Sequence, residues 1–449
     1  MTEVPGQATI GQATGRGPVW AWGSWDCGAS AFNAVILTFV FSVYLTDKVG
    51  EHLPGGVSPS AWLGWALGLA GLAVAVTAPV SGQWFDASAK RKLSLGILTA
   101  ITVLLMASMF FVRKDYHYLW FGLLLLALGS TTFELAHVPY NAMLRQVSTP
   151  ATVGRVSGFG WSMGYFGGII LLLTCYFGFI SGKGDYRGLL GVPIDDGLNI
   201  RLVAVLAAVW FAAFAIPLFL YVPEVPHTDA DPGAAISVRE RGVFRAIGNA
   251  YRVLWRDVRE LWQEDRRTVG FLIASAIFRD GLAGVFTFGA ILAVRVYGIA
   301  DSDVLLFGIA ANVFAALGAL AGGRLDDRIG PKAVIVGSLV AMIVAGLFLL
   351  VVSGPLMFWI FGLLLTIFVG PAQSSARSFL TRVAPPGREG QLFGLYATTG
   401  RAVSFLAPML FGFFVWAFDA DRAGIVGILL VLIAGLLALL PVKTPRATP

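Results

Sequence analysis

About twelve apolar runs, each near 20 residues, take up most of this 449-residue chain. They lie near 20–45, 60–83, 93–112, 118–141, 156–180, 202–222, 268–294, 302–322, 333–353, 355–376, 390–417 and 424–441. A helix of that length rises about 1.5 Å per residue and crosses about 30 Å of hydrocarbon. Barrel strands would show segments of about ten alternating residues instead, and the sequence has none of that pattern. Composition agrees: 57% of residues are hydrophobic and 13% charged, against roughly 25% charged in soluble domains. The expected fold class is an all-α integral membrane protein with 12 transmembrane helices in two pseudo-symmetric six-helix bundles.

The segments between the runs set the expected organisation. Residues 1–19 are polar and rich in Gly and Pro, without the charged start and apolar core of a signal peptide, and read as a disordered cytoplasmic tail. A first six-helix bundle spans 20–222, a polar interval 223–267, a second bundle 268–441 and a short cytoplasmic tail 442–449. Within the interval Phe244, Ile247, Tyr251, Leu254, Val258 and Leu261 recur at helical spacing among arginines, which suggests an amphipathic helix along the membrane surface. Of the 32 Lys and Arg, 22 fall in the tails and alternate loops on one side, and eight in the loops on the other. Basic loops stay inside, so both termini are expected in the cytoplasm. That asymmetry accounts for the net charge of +6, and its partners are lipid headgroups, not nucleic acid. Cys27 and Cys175 both fall within spans, and no metal-type spacing occurs; no cofactor or metal is expected.

The two halves repeat. GQWFDASAKRK after span 2 matches GRLDDRIGPK after span 8, with Gly82, Asp86 and Arg91 on Gly323, Asp327 and Lys332 at an offset of 241. VPYNAMLR matches GPAQSSAR, with Pro139 and Arg145 on Pro371 and Arg377 at an offset of 232. DCGASAF matches DGLAGVF, with Asp26, Ala29 and Phe32 on Asp280, Ala283 and Phe286 at an offset of 254. Such repeats place a binding site at the bilayer midplane, and rocking of the halves exposes it to either side.

The doubled GxxxD loop with its basic cluster resembles the signature loop of the major facilitator superfamily; the second copy, with Asp327, Arg328 and Gly330, is nearly complete, while the first has Ala87 and Ala89. YNAMLRQVSTPATVGRVSGFGWSMGYFGG, WDCGASAF and the stretch from GPAQSSAR to AVSFLAP resemble segments of the autophagy-related vacuolar amino-acid effluxer family and its bacterial relatives. The resemblance implies two six-helix bundles around a central cavity that alternates between inward-open and outward-open, moving a small solute without a continuous pore. It departs from the family at Cys27, Ala29 and Arg279. Glycoside and hexuronide cation symporters, with an acidic residue in the first span, are the neighbouring alternative.

Charged side chains facing lipid at mid-depth cost roughly 3 kcal/mol, so the ionisable residues inside spans should face the bundle interior. In FELAHVPYNAMLR, Glu134, His137, Asn141 and Arg145 fall within roughly 80° of one helix face. Arg145 and Arg377 occur in both halves and are expected to serve inner gates with Asp86 and Asp327; Arg91, Arg328 and Lys332 complete the gating set. Glu134 and His137 have no counterpart at the 232 offset, which points to cargo or proton handling or, alternatively, to a pair that packs spans 4 and 1 or 2. Asp26, Glu134 and His137 form the expected coupling set, with Asp280 the partner of Arg279 or Arg401. Arg401 presents a planar fork suited to a carboxylate, or bridges to Asp280. Asp26, Glu134, His137, Asn141, Arg279, Asp280 and Arg401 are thus the substrate- or ion-binding candidates.

Glycines 158, 160, 164, 167 and 168 are read as packing surface, and Trp22, Trp25, Tyr44, Tyr118 and Trp120 as interfacial anchors. No nucleophile with an oriented base is visible, so an enzyme is not expected. The expectation is a monomeric secondary transporter of an amino acid or other carboxylate-bearing solute, coupled to protons or Na+. A non-transporting receptor on the same scaffold is the alternative of another class. Arg outnumbers Lys 25 to 7, a hint of a GC-rich bacterial genome and hence of the cytoplasmic membrane.

Overall fold

The computed structural model describes residues 15–54, 56–87, 91–182, 184–224 and 265–443, together with the helical positions 252, 256, 259, 262 and 263. The expected amphipathic helix over 223–267 lies mostly outside the described residues, as do 1–14 and 444–449 of the expected tails.

Twelve helices among the described residues are long and apolar enough to cross a membrane. They are α1 (Arg16–Val49), α2 (Pro59–Asp86), α3 (Arg91–Phe111), α4 (Tyr116–Val147), α5 (Val153–Ile180), α6 (Asp195–Tyr221), α7 (Arg266–Arg295), α8 (Leu306–Ile329), α9 (Pro331–Val351), α10 (Pro355–Val383), α11 (Glu389–Phe418) and α12 (Asp421–Leu439). Glycine followed by proline sets two of the boundaries. Gly330 and Gly354 adopt φ of 88° and 90°, which ends one helix, and Pro331 and Pro355 open the next, where a missing N–H costs nothing. A two-stranded hairpin, Tyr186–Arg187 with Val192–Pro193, joins α5 to α6.

Two six-helix bundles result, and their contacts repeat. In the first, α1 packs on α5 and α6, α4 on α2 and α3, and α3 on α6. In the second, α7 packs on α11 and α12, α10 on α8 and α9, and α9 on α12. One apolar core forms around Phe32, Phe211 and Leu126 of the first bundle, the other around Phe278, Phe379 and Leu432 of the second, reaching across the interface to Val74, Ala78 and Phe85 of α2. Trp22, Trp25 and Tyr44 belong to the first core with 0%, 0% and 4% exposure, so the reading of these three as interfacial anchors is corrected. Their rings fill space between helices: Trp25 stacks on Tyr140 and donates its indole N–H to Thr99 Oγ1. Trp120, half exposed, keeps a place on the rim.

Two helices depart from regularity at mid-span. α1 runs as a π-helix over Ala31–Phe39. α11 breaks at residues 404–405 into α11a (Glu389–Val403) and α11b (Leu406–Phe418). Broken backbone at membrane depth is tolerated where protein or water satisfies the freed groups, and it marks binding regions in carriers.

The bundles meet where α2 lies along α11 and α5 along α8. Glycine sets how close they come. A Cβ on Gly82 would lie 2.2 Å from the carbonyl oxygen of Gly390, and one on Gly158 2.3 Å from that of Ala319. Gly323 against Gly154 and Gly394 against Ala78 repeat the arrangement at 2.6 Å and 2.5 Å. All eight positions lie toward the face that carries the start of α1 and the end of α12, here the terminal face. Toward the opposite face, Gly64, Gly68, Gly289 and Gly308 have nothing within 4 Å. The halves therefore touch on the terminal face, whereas toward the other α2 makes no comparable contact with Leu406–Phe418 of α11.

Candidate functional site

Three layers of polar side chains join the bundles, ordered from the terminal face inward. In the first layer Asp86 ends α2 and accepts the backbone N–H groups of Gly390 and Gln391, at 3.0 and 2.8 Å, from the first turn of α11. Asp327 ends α8 and accepts those of Gly154 and Arg155, at 2.8 and 3.1 Å, from the first turn of α5. Each half thus caps a helix of the other with a carboxylate, where both the unpaired N–H groups and the helix dipole favour negative charge. The two GxxxD loops supply these caps because glycine one turn earlier lets the helices touch.

Around Asp86 the layer becomes a charge network. Arg91 bridges Asp86 and Glu389 at 2.5 and 2.7 Å, and Arg145 donates to Glu389 at 3.1 Å and to the Ala384 carbonyl at 2.9 Å. Around Asp327, Arg382 bridges Asp326 and Asp327 at 2.8 and 3.2 Å. The expected partnership of Arg145 with Asp86 is therefore indirect, through Glu389 and Arg91. Lys332 turns away to the Leu440 carbonyl within its own half, and Arg328 is exposed on the last turn of α8. Glu389, Asp326 and Arg382 were not singled out in the sequence, because none has a charged counterpart in the other half.

The second layer centres on Arg377, which leaves α10 and enters the first bundle. Its Nη1 donates to Asp26 at 3.2 Å and Asn141 at 3.3 Å, its Nε to Ser157 Oγ at 2.9 Å and its Nη2 to the Ser157 carbonyl at 2.6 Å. Its guanidinium lies 4.8 Å above the Trp22 ring. The expected pairing of Arg377 with Asp327 is thus corrected: a long side chain on a buried helix face reaches the nearest acid across the interface, Asp26, while Asp327 is held by Arg382 and the start of α5. Arg145 and Arg377, the repeated pair, both cross to the opposite half.

The third layer lies near mid-span. Arg401 of α11a pairs with Glu134 of α4 across the gap, and both side chains keep about a third of their surface open, 34% and 32%. Arg279 of α7 lies 3.8 Å over the Tyr396 ring and donates to its carbonyl at 3.2 Å. His137 donates Nδ1–H to the Phe133 carbonyl of its own helix at 2.9 Å and sits edge-on to Trp25. It does not pair with Glu134. Asp280 pairs with neither Arg279 nor Arg401, as had been expected; its Oδ2 accepts the N–H of Ala407 at 2.6 Å, in the first turn of α11b. Two arginines and one glutamate face this opening, a formal excess of one positive charge. Of the seven substrate or ion candidates, Glu134, His137, Arg279 and Arg401 line or border the mid-span layer, Asp26 and Asn141 the layer below, and Asp280 is turned into the second bundle.

The geometry also corrects one register of the repeat. Gly28 packs on Phe211 of α6 and Gly281 on Leu432 of α12, an offset of 253. Asp26 lies beside Gly160 and Gly164 of α5, and Arg279 beside Tyr396 and Gly400 of α11, both pairs related by 236. The spatial counterpart of Asp26 is therefore Arg279, and that of Asp280 is Cys27. A sequence match on Asp, Ala and Phe outweighed the glycine that carries the packing.

Twelve spans, two bundles with repeated contacts and polar layers between them define a major facilitator superfamily transporter. Solved structures agree on the fold: FucP of E. coli, an MFS transporter in the outward conformation, superposes with a TM-score of 0.68 over 95% of this chain and 99% of that one, at 13% identity. The chain belongs to the family described as Vacuole effluxer Atg22 like, whose model matches residues 145–449. It is 22% identical to the MFS-type transporter YxiO of Bacillus subtilis (strain 168), over 94% of this chain and 95% of that protein. It is 25% identical to Autophagy-related protein 22-1 of Neosartorya fischeri over 67% of this chain, a match that spans 51% of that relative. The chain is a multi-pass membrane transporter.

Proposed function

We propose that this transporter carries a small carboxylate-bearing solute, an amino acid or an organic acid, by alternating access with proton coupling. The observation that supports it is the Glu134–Arg401 pair. It bridges the two halves at mid-span, remains a third open, and has Arg279 beside it, so a solute can replace either partner. A carboxylate would take the fork of Arg401 with Arg279 near, and an amino group the place of Arg401 against Glu134. The excess positive charge favours a carboxylate over a neutral sugar. The name of the family, an effluxer, and its resemblance to amino-acid exporters support the same class.

Alternating access follows from the two ends of the interface. Closed glycine contacts and charge-assisted caps hold the terminal face, while toward the opposite face α2 makes no comparable contact with Leu406–Phe418 of α11. Breaking Asp86–Gly390, Asp327–Gly154 and Arg145–Glu389 opens one face as the other closes. The basic excess puts the terminal face, both termini and the 223–267 linker in the cytoplasm, with 20–222 and 268–441 as the rocking units. This is then an outward-open state, in the cytoplasmic membrane of a bacterium.

The test is a thermal-shift screen of the purified protein against amino acids, organic acids and sugars, followed by radioligand binding of each hit. Carboxylate ligands are expected to stabilise the protein, and Arg401→Ala to weaken their binding at least about tenfold, the scale of one lost charge-assisted hydrogen bond. Unchanged affinity in Arg401→Ala, or stabilisation by sugars alone, contradicts the proposal.

A further inference from the structure

Asp26, Asp86, Glu134, Asp326, Asp327 and Glu389 each pair with an arginine. Asp280 does not. It is 6% exposed, at mid-span of α7, and among the described residues its one polar contact is the backbone N–H of Ala407 at 2.6 Å. No described cation lies within 4.0 Å of it. Of the elements packed against it, α11b and α12 carry no ionisable side chain over Leu406–Phe418 and Gly424–Leu439. On α11a, Glu389 and Arg401 are engaged by Arg91 and Glu134, and Tyr396 lies under Arg279, the sequence neighbour of Asp280. On α10, Arg377 and Arg382 are held by Asp26 and by the acids that end α8, whose Arg324 and Arg328 are exposed near the terminal face. Toward the opposite face, Asp421 pairs with Arg295, and Arg422 donates to Ser353.

A second observation ties this acid to the helix break. Its spatial counterpart Cys27 lies against Gly167 of α5, which runs unbroken there; Asp280 lies against α11 where that helix is interrupted. Acid and break occur together, in one half only. An ionised carboxylate compensated by one N–H and the positive end of one helix is expensive in a membrane interior, and a proton is the cation that fits a closed site. Arg401, which pairs with Glu134, lies three residues before the break, and Ser404 within the break donates to its carbonyl at 3.0 Å.

We propose that Asp280 is the proton-binding site of this transporter and that its carboxylate, by holding the first turn of α11b, ties proton occupancy to the position of α11. This rests on the carrier reading above. The ionised form docks α11b on α7, as in the structure. Uptake of one proton turns the carboxylate into a neutral acid, weakens the charge-assisted bond to Ala407, and frees α11b to close the opposite face over Arg401.

The experiment needs no solute. The full-length protein in lipid is titrated from neutral to acid pH by infrared difference spectroscopy, and the spacing across the opposite face is read by spin labels at Val57→Cys and Phe418→Cys. Both positions are exposed, and buried Cys27 and Cys175 are replaced by alanine. The wild type is expected to show a protonated-carboxyl stretch that titrates together with a roughly tenfold shift from long to short spacing. Asp280→Asn, whose side-chain oxygen can still accept from Ala407, is expected to lose that band and hold the short spacing at every pH, while Asp115→Asn, at an exposed acid outside the binding site, keeps both responses. If Asp280→Asn does not fold, Asp280→Glu must move the band. A band unaltered by these changes, a pH-dependent spacing that survives Asp280→Asn, or a response to Na+ in place of pH overturns the proposal. A protein that shows this proton response and passes no solute contradicts the carrier reading alone.

Discussion

Arg279 occupies in the second bundle the place that Asp26 occupies in the first: each projects from the first helix of its half toward a glycine-bearing partner, α11 for Arg279 and α5 for Asp26. The repeat therefore preserves shape and inverts charge. Asp26 is neutralised by Arg377, which leaves Arg279 and Arg401 to outweigh Glu134 at the opening. Arg279→Asp is expected to reverse that balance and weaken carboxylate binding about tenfold or more, by the loss of one charge and the gain of its opposite. Affinity measured for the hits of a carboxylate screen checks it.

Arg377 is buried, and the acceptors of its hydrogen bonds are spread over α1, α4 and α5. Arg377→Gln leaves Asp26 as an uncompensated charge between helices, at a cost of about 3–5 kcal/mol, and the melting temperature should fall sharply. Asp26→Asn combined with Arg377→Gln removes both charges and should recover much of the loss. Equal destabilisation of the single and double variants, measured by thermal melts in detergent, would mean that the pair is not coupled.

Gly82 and Gly390 touch through backbone, so Gly82→Val cannot adopt the closed terminal face: the new Cβ would stand 2.2 Å from a carbonyl oxygen. The variant should populate the state open at that face, with cysteines near Ser81 and Gln391 becoming reactive to polar thiol reagents. Gly64→Val, at the other end of the same helix, has nothing within 4 Å of the new Cβ and should leave reactivity unchanged.

Asp86→Asn and Asp327→Asn each replace a charged cap by a neutral one and lose about 1 kcal/mol, roughly a fivefold shift toward opening of the terminal face. Arg145→Gln should act in the same direction by removing the bonds of Arg145 to Glu389 and to the Ala384 carbonyl. Spin-label distances across that face, compared with the wild type, read all three; normal populations in Arg145→Gln would remove it from the gate.

Span number and the two-bundle fold were legible because hydrocarbon demands long apolar runs, and the GxxxD loops because their glycine and aspartate answer a backbone contact repeated in both halves. Arg145 and Arg377 were legible as a repeated pair at the inner ends of spans 4 and 10 for the same reason. Their partners were not: Glu389 follows a loop rich in Pro and Gly, and a salt bridge between residues 244 apart leaves no periodic trace. The break in α11 does have a sequence signal, Pro408, which has no N–H to bond the carbonyl of Ser404 four residues earlier, where the helix is interrupted. Spans 1 and 7 match at an offset of 254 by identical side chains and at 253 in space, because Gly28 and Gly281, where helices meet, set the register.

Counterflow in proteoliposomes tests the central claim most directly, with vesicles preloaded with a carboxylate hit from the ligand screen and its labelled form outside. A carrier with the Glu134–Arg401 pair at its binding site should accumulate label transiently against no net gradient, and Arg401→Ala should lose nearly all of that exchange while remaining folded. Undiminished exchange by Arg401→Ala, or binding without exchange in the wild type, would contradict it.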